Sequence, residues 1–437
     1  MRGPTILLAY LVNSVTVLTA VSAYVGTAPG KTPQFQALPS LREQADLVDG
    51  WTEERKALIP GLLRKYGIDA WLMSQREYAE DTVFWALKEA TQFSARRRTT
   101  HLFLADPLNG APSSYSWIEN TDAVWTDLQQ ILAAQQPRSI ALNTHPEIAF
   151  AGGLHAGEFD AVVKGIGEEW KDKFVLEPML GVEVIATMVK GRLPWYRKMM
   201  ETAWAIIEEG FSEKIIVPGK STSWDIEWWM RERIQSLNYT TWFQPSVFIL
   251  TGSGFPAAED PSSMDDPRAP DRPIAYGDLI HTDFGVTALG LNTDTQHIGY
   301  VLYPGETESD VPKGFVDGLK KVNRLQDIVK SNMKIGMTGN EILKAALEQA
   351  HSEGIEGMTN LQDEVPVLGD LPLLKNTFYS IELFAEHFVP ERNRTIVFPQ
   401  EEDVYWDDES NSWEWVYGRQ EQLLLIRTPA KDTLSEL

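Results

Sequence analysis

The sequence predicts an α/β domain followed by an α+β domain, and two observations carry that reading. Across 36–180 short apolar runs alternate with helical patterns, and across 190–430 pairs of helical patterns flank strand-like runs. A helix pattern begins near Leu41. In the first region DAWLMS at 69–74 reads as a buried strand, TTHLFLA at 99–105 as a second, and SIALN at 139–143 as a third. The second region opens with helices at 195–214 and 224–236, joined by the turn PGKST at 218–222. Strand-like residues 243–250 follow, then a loop at 252–273 rich in Pro, Asp and Ser, and further helices at 311–330 and 339–351. Trp224, Trp228 and Trp229 sit at helical spacing, which predicts packing of an amphipathic helix against a core.

Chemistry concentrates in the second region. The run GDLIHTDFG at 277–285, followed by NTDTQ at 292–296, places Asp283 and Asp294 eleven residues apart around a Gly-containing turn. Two strands joined there bring both carboxylates to one end of a hairpin. Spacing alone fits equally well two turn-forming aspartates. Downstream, YSIEL at 379–383 sets Glu382 inside an apolar run, and RQEQLLLI at 419–426 does the same for Glu421. In a strand Glu421 shares its face with Leu423 and Leu425 and points inward, where an unpaired glutamate is costly. Four carboxylates in largely apolar strands point to a hard or borderline divalent metal.

These residues, in this order, resemble the pita-bread metallopeptidases: the creatinase, prolidase, aminopeptidase P and methionine aminopeptidase superfamily. The resemblance runs from about Leu41 to Pro429. It implies a creatinase-like α/β N-terminal domain at 36–180 and an α+β pita-bread catalytic domain at 190–430. It also implies two divalent ions, with Asp283 on the first, Glu382 on the second and as catalytic base, and Asp294 and Glu421 bridging. Manganese is the expected metal, with zinc and cobalt as alternatives. The implied substrate is a small peptide with proline at the second position, and the resemblance leaves a homodimer open.

One part of the pattern is missing. The family places a histidine, in a Gly-His-Gly-like loop, between the second aspartate and the first glutamate. Here only His297 and His351 fall in that interval, and the GIEGMTN run at 354–360 is too short for the loop. His351 ends an apolar helix face, where the helix dipole explains it. His387 falls on the strand face opposite Glu382, and His281 shares the face of Asp283. The alternatives are therefore a catalytically impaired pita-bread fold kept for binding, or a chain shortened by splicing or a gene-model error.

Other function classes are excluded by residue content. The 437 residues carry 39 Lys and Arg against 62 Asp and Glu, a formal net charge of -23, which repels nucleic acid and anionic membranes. There is no cysteine, so disulfides, thiolate nucleophiles and Cys-based zinc sites are out. No Gly-x-Ser-x-Gly elbow or His-Glu-x-x-His pair occurs, and TGSG at 251–254 lacks the lysine of a phosphate loop. At the N-terminus Arg2 precedes an apolar run at 4–21 that ends in the small residues VSA at 21–23. That is the layout of a signal peptide at 1–23, with an uncleaved anchor as the alternative. Sequons at Asn238 and Asn393 agree with a secreted glycoprotein that leaves the membrane once cleaved.

Overall fold

Ser40 accepts the amide of Glu43, and Glu43 reaches back to the amide of Ser40, so α1 (Leu41–Lys65) begins in a closed capping box. The computed structural model describes residues 32–252, 272–356 and 364–427. The expected leader at 1–23 and residues 357–360, where the histidine loop is expected, lie outside the described residues. After α1 come β1 (Ala70–Arg76), α2 (Thr82–Leu87), β2 (Arg98–Leu104), β3 (Ser114–Trp117), α3 (Ala123–Gln135), β4 (Ile140–Leu142), α4 (Ala156–Ile166), β5 (Phe174–Leu176) and α5 (Pro178–Ala186). The strands form one sheet in the order β3-β2-β1-β4-β5. Its β4 and β5 run parallel to β1, while β2 and β3 are antiparallel additions.

Helices on both faces explain why β1 and β2 read as continuous apolar runs. Trp71 and Met73 pack with Ile59 and Leu63 of α1, Leu87 of α2 and Leu180 of α5. Ala70 and Leu72, one residue out of phase, pack with Leu128 of α3 and Val162 of α4.

The second half carries α6 (Arg192–Gly210), α7 (Ser223–Ser236), β6 (Ser246–Ile249), β7 (Leu279–Phe284), β8 (Thr287–Ala288), β9 (Leu291–Asn292) and β10 (Thr295–Val301). Then follow α8 (Lys313–Asn332), α9 (Gly339–Ser352), β11 (Phe378–Val389), β12 (Arg394–Asp407), β13 (Ser412–Trp415) and β14 (Leu424–Ile426). Seven of these strands form the second sheet, along the path β11-β12-β10-β7-β6, with β13 on β12 and β14 on β10. The first end of β10 pairs with β12 and its last three residues pair with β14, so β10 is shared between two neighbours.

Alternation sorts the faces. On β7, Ile280 and Phe284 join Ile206 of α6 and Met230 of α7. On β11, Ile381, Leu383 and Ala385 join Phe315, Leu319 and Val322 of α8. Asp283 and Glu382 occupy the opposite phase of the same strands. Close packing of α8 depends on Gly318, where an added Cβ would stand 2.2 Å from the Phe398 ring. Gly318→Ala is expected to destabilise the fold by about 1–3 kcal/mol through overpacking, measured as a lower denaturant midpoint at unchanged slope.

The three tryptophans of α7 divide. Ile226, Met230 and Ile234 form its buried face, and Trp229 packs beside them. Trp224 and Trp228 are each 48 % exposed and meet edge to face at 6.0 Å. The expected core role fails for these two because the aliphatic stripe lies on the other side of the helix.

A candidate carboxylate metal centre

Strand register builds this site. Asp283 on β7 is the cross-strand partner of Gln296 on β10. Gln296 partners Glu401 on β12, and Glu401 partners Glu382 on β11. Because directly opposed residues project to the same face, Asp283, Gln296, Glu401 and Glu382 form one row across four strands. Asp294 enters the row from its position just before β10. The chain reaches it through a tight β8–β9 ribbon whose turn residues, Leu289 and Gly290, have φ of 54° and 67°. Positive φ at both positions is the two-residue hairpin geometry that glycine favours.

Asp283, Asp294 and Glu401 each offer an oxygen, and these oxygens lie within 4.8 Å of one another. Burial pushes all three carboxyls above the usual carboxylate range; the Glu382 charge adds to this at each of them, and Asp294 and Glu401 are raised further by the other carboxylates of the row. The Asp283 and Asp294 side chains hydrogen-bond to each other, as two acids sharing a proton do. Asp283 Oδ1 and Asp294 Oδ1 are buried without a partner. Converging, underbonded, electron-rich oxygens of this kind fit a divalent cation, which would replace the protons.

A supporting layer fixes the row. Gln296 Nε2 donates to Glu382 Oε1 at 2.9 Å and to Glu401 Oε2 at 2.8 Å. Gln296 Oε1 lies 2.9 Å from His281 Nε2. Burial holds the His281 imidazole down to about 4, so it is neutral near pH 7. Ser380 Oγ donates to Glu401 Oε1. Behind Asp294, Asp403 accepts its backbone amide at 3.1 Å and the Tyr196 hydroxyl at 2.8 Å. Burial pushes Asp403 up to about 8. On the other side of the sheet, His297 Nε2 lies 2.9 Å from Glu402 Oε1, and Trp204 Nε1 donates to Glu402.

Three expected residues therefore meet: Asp283, Asp294 and Glu382. The structure does not bring Glu421 to them. Its carboxylate is held by Arg419 at 2.8 Å and its side chain is 64 % exposed. Regular pairing of β14 starts only at Leu424, so the inward phase expected from Leu423 and Leu425 does not extend back to Glu421. Glu401, buried to 2 % exposure, stands in its place. The alternation of Ile396, Phe398 and Gln400 marks β12 as a strand, but which of the three acids that follow faces the row is set only by its pairing with β10 and β11. The expected outcome of Glu401→Gln is loss of divalent-metal binding by calorimetry, with Glu421→Gln binding as the wild type does.

Among the other histidines, His351 is exposed at the end of α9. His387 packs near Phe398, away from Glu382. Asn238 and Asn393 are both exposed and left-handed, with φ of 62° and 48°.

No family model and no curated protein matches the chain. Solved structures do. The chain is similar to an X-Pro aminopeptidase from Thermotoga maritima at 16% identity and TM-score 0.53, covering 82% of this chain and 98% of that one. A dipeptidase from Pyrococcus horikoshii matches at 19% identity and TM-score 0.51, over 85% of this chain and 99% of that one. The N-terminal domain of FACT complex subunit SPT16 from Eremothecium gossypii matches at 10% identity and TM-score 0.55, over 90% and 100%. The chain thus has the pita-bread fold, an α/β domain followed by an α+β domain. Of these neighbours two are named as peptidases and one as a subunit of a complex.

Proposed function

We propose that this chain is a metal-dependent peptidase that hydrolyses small peptides, with Xaa-Pro bonds as its target. The observation that carries the reading is the row of buried, repelling carboxylates with underbonded oxygens, on a fold shared with an X-Pro aminopeptidase and a dipeptidase. Asp283, Asp294 and Glu401 would hold a divalent ion, for which manganese is the first choice because every ligand is oxygen, with zinc and cobalt behind it. Such an ion supplies Lewis-acid polarisation of a carbonyl and acidifies water.

The remaining work falls to the chain. Glu382 is the exposed end of the row and accepts a hydrogen bond at Oε1 from Gln296. It is placed to take a proton from an attacking water and return it to the leaving amine. Asp403 and Tyr196 fix the backbone of Asp294, so its carboxylate does not swing away. Secretion through a leader at 1–23, glycosylation at Asn238 and Asn393, and dimerisation belong to the same proposal. Exposure of both asparagines supports the second of these.

A binding protein without hydrolysis is the second reading. It is favoured by the missing loop histidine and by the SPT16 domain among the fold neighbours. Incubation of the purified chain with Mn(II), Zn(II) or Co(II), followed by Xaa-Pro dipeptide and tripeptide assays, separates the two. Cleavage dependent on the added metal is the expected result. Bound metal with no cleavage of any peptide would establish the binding reading.

A further inference from the structure

Gln296 is buried to 4 % exposure and spends every polar atom it has. Both hydrogens of Nε2 go to carboxylates, Glu382 Oε1 and Glu401 Oε2, and Oε1 faces His281 Nε2. The orientation of the amide is not arbitrary. Turned the other way, its oxygen would stand against two carboxylate oxygens and its nitrogen against the imidazole. His281 therefore carries its proton on Nε2 and donates to the amide, which passes the polarity on to the two glutamates.

We infer that the row holds one divalent ion, at Asp283, Asp294 and Glu401, and that the Gln296 carboxamide takes the position from which a second ion would join Glu401 to Glu382. The inference rests on reading the carboxylate row as a metal site and narrows the two ions expected from the sequence to one. Three observations support it. The oxygens that a second ion needs already share a single donor nitrogen. No imidazole among the described residues is free to face Glu382: His281 is bonded to Gln296, and His297 to Glu402 on the other side of the sheet. The sequence from 357 to 363 holds no histidine either. The first position differs in its oxygens, since Asp283 Oδ1 and Asp294 Oδ1 lack partners.

Chemically, a neutral amide donor quenches the repulsion between Glu382 and Glu401 without adding charge. It leaves Glu382 tied to the ion site through Gln296 rather than by ligation. Gln296 is thus a positioning residue, and the state of the bound ion reports on it independently of turnover.

The test is metal content by elemental mass spectrometry after Mn(II) loading and desalting, with electron paramagnetic resonance on the same samples. Wild type is expected to hold one Mn(II) per chain with the hyperfine-split spectrum of an isolated ion. Gln296→Glu, which replaces the donor by a third carboxylate of the same shape, is expected to hold two and to show the spectrum of a coupled pair. Two ions in the wild type would overturn the inference and leave the metal site standing. A Gln296→Glu variant that still holds one also overturns it, because the amide is then not what excludes the second ion. No ion in the wild type overturns both this inference and the metal-site reading. The wild-type count and spectrum stand whether or not the variant folds.

Discussion

Asp294→Asn is expected to abolish metal binding and peptide hydrolysis together, and to leave the metal-free protein more stable than the wild type. Asp294 is repelled by Asp283, Asp403 and Glu382 in a site that removes it from water. An amide of the same shape donates to Asp283 as the protonated carboxyl does, but carries no charge at any pH and needs no proton taken up on folding. The gain should be on the order of 1–3 kcal/mol, the scale of satisfying a buried charged acceptor. Hydrolysis should fall by more than about 100-fold, since even outer-layer partners of metal ligands cost up to that much. Thermal melts with and without Mn(II), together with an Xaa-Pro peptide assay, read all of this. Wild-type activity in Asp294→Asn would place the chemistry elsewhere in the molecule. A less stable metal-free variant would show that the carboxylates are not in conflict. Such opposed effects on stability and activity are the mark of a functional site that the fold holds under strain.

The parts of this site legible in the sequence are those with an unambiguous strand phase. Asp283 follows Leu279 and His281 on one face of a short apolar strand, and the glycines around it mark where the chain turns. Glu382 lies in equally clean alternation. Glu421 looked the same, but a three-residue strand is too short to carry its phase back past Leu424, and a neighbouring arginine captured the carboxylate. Glu401 was missed for the converse reason. Three consecutive acids show no alternation of their own, whereas the fourteen residues of β12 bury all three between neighbouring strands. Only the pairing of Glu401 with both Gln296 and Glu382 reveals its role, and register is a tertiary fact. The same limit hid β3 and β5, which are short, partly exposed strands that add to the edges of a sheet already recognisable from β1, β2 and β4.

Metal-free protein is expected to lose thermal stability as pH rises from about 6.5 to about 8.5, and Mn(II) to reduce that loss. Asp403 is pushed up to about 8 by burial, Asp283 is raised by burial and by the Glu382 charge, and Asp294 and Glu401 are raised by burial and by the neighbouring carboxylates. In the unfolded chain these groups titrate near 4. Between the two values the folded state binds more protons, so the stability they contribute is present at low pH and disappears as pH climbs through the folded values. Buried histidines oppose this only lower down. His281, His101 and His297 are lowered to about 4, about 4 and about 3, so they cost stability only below the unfolded value near 6.5. Above that point the raised carboxylates give the slope its sign. A bound divalent ion needs the oxygens of Asp283, Asp294 and Glu401 deprotonated, so its affinity increases over the window in which the apo protein weakens. At 100 times its dissociation constant it adds about 2.7 kcal/mol. Melting curves with and without Mn(II) should therefore lie close together at pH 6.5 and separate steadily toward pH 8.5. Curves that stay parallel across this range would mean that the carboxylates carry their charge without a cation, and that the ion, if bound, does not take the place of their protons.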